Sequence, residues 1–238
     1  ILVSTYTVES SGKVRPGGAG DAGASGANAE QSACQQWHAA KPRAFNNNAR
    51  RYSVGDNEGG NGLDFVSAGD VDRVPTCHGG DPLCESIGVD DVERDDDGQP
   101  FHVQMIWQSE TSPVAILNGT MARLIEAEAA LAANDPDEMM NILNQLRAGM
   151  TALPDPGTAE GRLDLLFRER AFWQFGRGTR VGDLRRLIRQ YGRTEDQVFP
   201  TGAWHKSGSY GNDVNFPVPS AEQNNPNPGA GACLNRDP

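Results

Sequence analysis

Residues 112–149 read SPVAILNGTMARLIEAEAALAANDPDEMMNILNQLRAG, and this stretch predicts two consecutive helices. Ser112 is a favourable N-cap, and Pro113 fits the first helical position, where its missing N–H costs nothing. Asn134 suits a left-handed cap, and the pair Asp135-Pro136 starts a second helix that Gly149 ends. Apolar residues recur at helical spacing in both segments, so that two amphipathic helices occupy the length of a tetratricopeptide-type (TPR) unit. They are Ile116, Leu117, Met121, Leu124, Ile125 and Leu131 in the first segment, and Met139, Ile142, Leu143 and Leu146 in the second.

Two further helices follow, at about 158–175 and 181–191. Gly176 and Gly192 are placed to end them. The sequence therefore predicts a mainly α fold, with a TPR-like helical hairpin plus two further helices and long irregular, loop-rich flanks. The side chains expected on the inner faces are Leu163, Leu166, Phe167, Arg170 and Ala171 in the third helix, and Leu184, Leu187 and Ile188 in the fourth, whereas Trp173 is expected in the core.

The flanks account for much of the glycine and proline in this chain of 238 residues. Residues 1–110 show little periodicity beyond a weak strand pattern at 1–8, and residues 16–33 resemble a Gly/Ala-rich insertion. We therefore divide the chain into an irregular region, 1–110, and a helical region with an irregular tail, 111–238. A single helical hairpin cannot bury its own apolar face, so we expect this scaffold to depend on neighbouring surfaces.

The charge of the chain is uneven. A formal net charge of -11 argues against nucleic-acid binding, which needs a basic surface. Residues 162–193 nevertheless contain nine arginines and only three acidic residues. We expect these arginines to pair between helices, with Arg168, Arg170, Arg185 and Arg186 facing Glu126, Glu128, Glu169 and Asp183. No apolar run approaches the length of a membrane-spanning helix, so no transmembrane segment is expected.

The four cysteines are Cys34, Cys77, Cys84 and Cys233, which allow three pairings. We favour Cys77–Cys84, because Gly-Gly and Asp-Pro can turn the short loop between them, and this leaves Cys34–Cys233. A metal site built from Cys77, His78 and Cys84 is the alternative, although zinc spacing is lacking. Disulfides would place the protein in an oxidising compartment.

Neither catalysis nor a cofactor is strongly indicated. The four histidines, His38, His78, His102 and His205, are scattered and lack a nucleophile motif, so we expect a non-enzymatic protein. Glu93, Asp95 and Asp97 resemble the start of a calcium loop, but the twelfth position is Gln104 rather than glutamate. A solvated acidic loop is the alternative to a Ca²⁺ site, and no other cofactor is predicted.

Four aromatic residues in loop-like segments are candidate ligand-binding residues, since aromatic faces stack on sugar rings: Trp37, Trp107, Trp204 and Tyr210. Packing in a core or an interface is the alternative for the same side chains.

Four separated segments of the chain resemble the SusD/RagB-like outer-membrane nutrient-binding proteins. The segment RLIEAEA at 123–129 resembles their "RLIEAEA" helix, and LNQLR at 143–147 resembles "LNxxR". RERAF at 168–172 with GDLRR at 182–186 is similar to "RERxxE…DLRR", and FPVPSAE at 216–222 with NPN at 225–227 is similar to "PIPxxE…NPN". Weaker likeness extends upstream to about residue 50. The likeness is to the C-terminal half of these proteins, which are longer, begin with a lipidated cysteine and carry further helical repeats.

This resemblance implies an exported protein of the cell envelope, periplasmic or on the outer-membrane surface. It would bind glycans or peptides together with a TonB-dependent transporter. The alternative is a cofactor-free structural subunit that caps or stabilises a large envelope membrane complex, respiratory or photosynthetic.

Overall fold

The structure is a computed structural model that describes residues 6–8, 54, 58, 62–67, 70, 72–79, 81–86, 94, 100–106, 113–203, 208–211 and 214. In chain order, their elements are β1 (Tyr6–Val8), β2 (Thr76–His78), α1 (Pro82–Ser86), β3 (His102–Gln104), β4 (Val114–Leu117), α2 (Gly119–Ala132), α3 (Pro136–Leu146), α4 (Ala159–Trp173), α5 (Arg180–Tyr191) and α6 (Glu195–Val198). Helix predominates over strand in this part of the chain, so the prediction of a mainly α protein is confirmed at that coarse level.

The described residues group into two compact units. The helical unit comprises residues 6–8 and 113–175. The mixed unit comprises the described residues from 54 to 106 and from 176 to 214. Within the mixed unit, β2, α1 and β3 form what we term the disulfide hairpin.

The first long helix, α2, begins at Gly119, so the predicted start at Pro113 is wrong. Val114–Leu117 instead forms β4, which pairs antiparallel with β1. Aliphatic, partly β-branched residues suit a strand once a partner is available, and the partner lies more than a hundred residues away in sequence. Asn118 is the N-cap, with extended backbone, and its side chain accepts a hydrogen bond from Met121 N at 2.8 Å. Ser112, the predicted cap, lies outside the described residues.

Helices α2 and α3 form an antiparallel hairpin. Arg123 near the start of α2 donates from Nη2 to Gln145 Oε1 near the end of α3, at 2.6 Å. Asn134 adopts the predicted left-handed conformation, with φ at 59°. Asp135 is the predicted N-cap of α3, and its carboxylate accepts a hydrogen bond from Glu138 N at 3.1 Å. Local cap chemistry thus fixes the reversal between the two helices.

The core of the helical unit lies among α2, α3 and α4. Trp173 and Leu153 pack against it, the former as predicted. Ile116, Leu117 and Ile125 are exceptions to the predicted inner face, because each remains at least half exposed. The buried members of this core are Leu124, Ala127, Met139, Met140, Ile142, Leu143 and Leu166.

The mixed unit combines the disulfide hairpin with α5 and α6. Strands β2 and β3 pair antiparallel, and the apolar cluster beside them contains Cys77, Cys84, Phe101 and Val103. Helix α5 buries the predicted Leu184 and Leu187 and ends at Gly192, whose φ of 67° is left-handed. None of the described helices is long and apolar enough to cross a membrane.

Candidate functional site

Tyr210 is the predicted ligand-binding aromatic that the structure describes. Its side chain is exposed, and its backbone N–H donates to Gly202 O at 3.0 Å. Ala203 and Ser209 form an isolated antiparallel bridge just inside this hydrogen bond. Tyr210 therefore lies where a short loop closes, with its ring accessible to a planar ligand face. Trp37, Trp107 and Trp204 lie outside the described residues.

The disulfide Cys77–Cys84 is present, as predicted. It excludes the alternative metal site of Cys77, His78 and Cys84, because both sulfurs are committed to the bond. Cys34 and Cys233, the second predicted pair, lie outside the described residues. So do Glu93, Asp95 and Asp97 of the candidate calcium loop.

Gln104, the twelfth position of that candidate calcium loop, belongs to strand β3. It is buried and lies opposite Thr76 in the ladder with β2. Arg94 and Pro100, which flank the acidic residues 95–97, form an isolated antiparallel bridge.

His78 and His102, which appear unrelated in the sequence, lie directly opposite each other on β2 and β3. The hydrogen bonds Gly79 N to Phe101 O and Met105 N to Pro75 O mark the flanking hydrogen-bonded pairs of the ladder. Because the two kinds of pair alternate, His78 and His102 form a non-hydrogen-bonded pair, in which side chains approach most closely. Their ring centroids are 4.9 Å apart, and the ring planes are inclined at 62°.

One buried and one partly buried ion pair connect the helices of the helical unit. Arg147, just after α3, places Nη1 3.4 Å from both carboxylate oxygens of Glu169 in α4, and Glu169 is 1% exposed. Arg147 also donates from Nε and Nη2 to Thr151 O. Arg170 in α4 lies 3.6 Å from Glu128 in α2. Each pair joins two different segments that resemble the SusD/RagB-like proteins: Arg147 of LNQLR with Glu169 of RERAF, and Arg170 of RERAF with Glu128 of RLIEAEA.

These contacts confirm only part of the predicted arginine pairing. Arg170 pairs with Glu128 between helices, as expected. Arg186 contacts Asp183 within its own helix, and Arg168 lies over the ring of Phe172, 5.5 Å from its centroid. Glu169 also has a buried partner in Arg147, which the charge pattern of the sequence did not single out. Arg147 belongs to the LNQLR segment, but its pairing with Glu169 depends on how α4 packs against the end of α3.

The connection from α3 to α4 is held by polar contacts. The side chain of Asn144 in α3 accepts from Leu153 N at 2.7 Å and donates to Leu153 O at 3.3 Å. Asp155 accepts two hydrogen bonds from Arg162, at 2.8 and 2.6 Å, and another from Gly157 N. The hydrogen bonds from Arg162 lower the pKa of Asp155 from 3.8 to about 2.

In comparisons with protein-family models, curated proteins and solved structures, nothing matches this chain.

Proposed function

We propose that this chain is a SusD/RagB-like protein of the cell envelope that binds a glycan or peptide and works with a TonB-dependent outer-membrane transporter. The chain acts without catalysis and without a cofactor. The proposal rests on the segment resemblance, and the contacts described above supply its structural support. The observation that carries the proposal is that residues of three resembling segments contact one another through ion pairs.

The family-like residues act as a scaffold. Glu128 of RLIEAEA meets Arg170 of RERAF, and Arg147 of LNQLR meets Glu169 of the same RERAF segment. Asn144 of LNQLR holds the backbone of Leu153. Contacts between these segments give a physical reason for their occurrence in one pattern, since each residue helps to hold the others in place. In this proposal α2 and α3 form a TPR-like unit, and the ligand is held by loops that the scaffold supports.

The proposed ligand surface includes Tyr210 and the loop that it closes. An exposed aromatic ring at the base of a loop provides a flat apolar face for a sugar ring or a peptide side chain. Trp204 lies within the same loop in sequence and is proposed as the second aromatic face. Polar Asn and Asp side chains of the flanks would complete the ligand contacts.

Ligand retention tests this surface. The purified chain is passed over immobilised soluble starch, xylan and a tryptic peptide mixture. Tyr210→Ala and Trp204→Ala are expected to reduce retention, whereas the matched control Tyr210→Phe keeps the ring and retains binding. Unchanged retention in both alanine variants would remove these residues from the site.

An oxidising compartment is supported by the Cys77–Cys84 disulfide, since such bonds persist in exported proteins. The proposed partner is tested by purification from membranes in mild detergent. Co-migration with a TonB-dependent barrel supports the capture function. Recovery as a stable monomer that binds none of the three probes contradicts it.

A second candidate is a structural subunit that braces a large envelope membrane complex, respiratory or photosynthetic. One observation favours it: Ile116, Leu117 and Ile125 of the helical unit expose 56%, 50% and 58% of their surface. Where exposed aliphatic side chains form a contiguous patch, they mark a surface that associates with a partner. The double substitution Ile116→Ser with Ile125→Ser is expected to release the chain from such a complex. The same substitution leaves retention on starch, xylan or peptides unchanged, so it distinguishes the two functions.

A further inference from the structure

We propose that His78 and His102 form a binding site for a divalent transition-metal cation, with Cu²⁺ preferred over Ni²⁺ and Zn²⁺. The site lies on the disulfide hairpin and does not depend on the proposed nutrient-binding function.

The strand ladder sets the separation of the two rings. Metal–nitrogen bonds are about 2.0–2.1 Å long, so the centroids of two imidazoles on one ion lie about 5 Å apart. The observed separation is 4.9 Å. This separation allows one ion between the two rings without a change in strand register, once each ring turns a nitrogen toward it. Both side chains are half-buried, which leaves solvent access for a small cation.

Backbone hydrogen bonds hold both histidines in position, and their neighbours in the strands are buried on the opposite face. His102 O accepts a hydrogen bond from Val54 N at 2.8 Å, and His78 O accepts one from Asp81 N at 3.0 Å. On the opposite face of the strands, Cys77 and Val103 are buried in the apolar cluster, and Cys77 is bonded to Cys84. Two ligands held in place before binding lose little conformational freedom when the ion arrives.

The donor chemistry selects the ion. Neutral imidazole suits copper, nickel and zinc, and the order of affinities for a given nitrogen site places Cu²⁺ above the other two. Thiolate is excluded as a competing ligand at this hairpin, because Cys77 and Cys84 form a disulfide. Across the described ranges, no group of three or more His, Cys, Asp or Glu side chains is placed to hold an ion. In this proposal water completes the coordination of the ion, which makes the ion exchangeable.

Calorimetric titration of the full chain with CuCl₂ at neutral pH tests the site. One exchangeable ion per chain is expected. Removing a hydrogen-bond partner of a metal-bound histidine lowers metal affinity by about tenfold or more, and removing the histidine itself should cost at least as much. We therefore expect His78→Gln and His102→Gln each to weaken Cu²⁺ binding by at least about tenfold. The double variant His38→Gln with His205→Gln, which removes the other two histidines, is the matched control and should keep the wild-type affinity.

Electron paramagnetic resonance of the Cu²⁺-loaded wild-type chain gives a second readout that does not require a variant to fold. Hyperfine coupling from two imidazole nitrogens is expected. A spectrum without imidazole nitrogen overturns the proposal. So does unchanged affinity in His78→Gln and His102→Gln, or an equal loss in the control.

Discussion

Among the described residues, the apolar cluster formed by α2, α3 and α4 contains seven buried side chains, whereas the cluster at the disulfide hairpin contains four, two of which are the half-cystines themselves. In the helical unit, charged pairs between helices add to the apolar core, as with Arg147 and Glu169. In the hairpin, a covalent bond between residues seven apart adds to a much smaller core. A chain with 37% hydrophobic residues is thus stabilised by electrostatic contacts in one region and by a cross-link in the other.

The largest expected effect comes from breaking the buried pair of the helical unit. Arg147→Met removes the guanidinium that faces the buried Glu169 carboxylate, and losing one partner of a buried pair costs about 3–5 kcal/mol in the free energy of unfolding. The measurement is denaturant unfolding followed by circular dichroism. Glu126→Gln, which breaks the exposed pair with Arg123 and leaves the hydrogen bond from Arg123 to Gln145, is the control and should cost less than about 1 kcal/mol.

A double variant sharpens this result. Arg147→Met with Glu169→Leu removes both charges, and apolar replacement of a whole buried pair is often close to neutral. We therefore expect the double variant to be more stable than Arg147→Met alone. If the two substitutions were simply additive, the coupling between Arg147 and Glu169 would be refuted.

The second prediction concerns the disulfide hairpin. Cys77→Ala with Cys84→Ala releases a short loop, whose closure constrains the unfolded chain by about 2.5 kcal/mol. In this double variant, amide hydrogen exchange should speed up at position 77 and at Val103. It should remain unchanged at Ile142 and Leu143 in the helical core. Equal acceleration in both regions would show that the cross-link supports the whole chain rather than the hairpin.

The contrast between the two regions also explains what the sequence could predict. Helix ends were predicted where the signals are local: Asp135 caps α3, Asn134 turns the chain before it, and Gly192 ends α5. The strand β4 was missed because its partner β1 lies far away in sequence, so the nearby Pro113 suggested a helix start instead.

The candidate sites divide in the same way. The short Cys77–Cys84 loop was predicted from its turn residues. The His78–His102 pair was not, because strand register between residues 24 positions apart decides it and no sequence spacing reports that register. Arg147 and Glu169 meet for a similar reason, since their contact depends on how α4 packs against the end of α3.

A smaller effect is expected from the start of α4. A Cβ at Gly161 would lie 2.7 Å from Pro156 Cβ and 2.9 Å from Thr158 Oγ1, the side chain that caps the helix. Gly161→Ala should therefore disturb the cap and cost about 1 kcal/mol, measured as a lower unfolding midpoint. Gly119→Ala at the start of α2 is the matched control, because no atom lies within 4 Å of its Cβ and the change should stabilise by up to about 1 kcal/mol.

The smallest effect is a pH dependence from the connection between α3 and α4. Hydrogen bonds from Arg162 lower the pKa of Asp155 to about 2, so the folded state favours the ionised carboxylate. A depressed pKa contributes stability above the unfolded value and loses it as the pH falls, here from about pH 4 to about pH 2. Wild type should therefore exceed Asp155→Asn in unfolding midpoint at pH 6, and the difference should shrink across that window. Arg162→Gln removes the same contact and should show the same pH profile without adding to Asp155→Asn. A difference that stays constant down to the lowest pH would mean that Asp155 acts through its shape and its contact with Gly157 rather than through its charge.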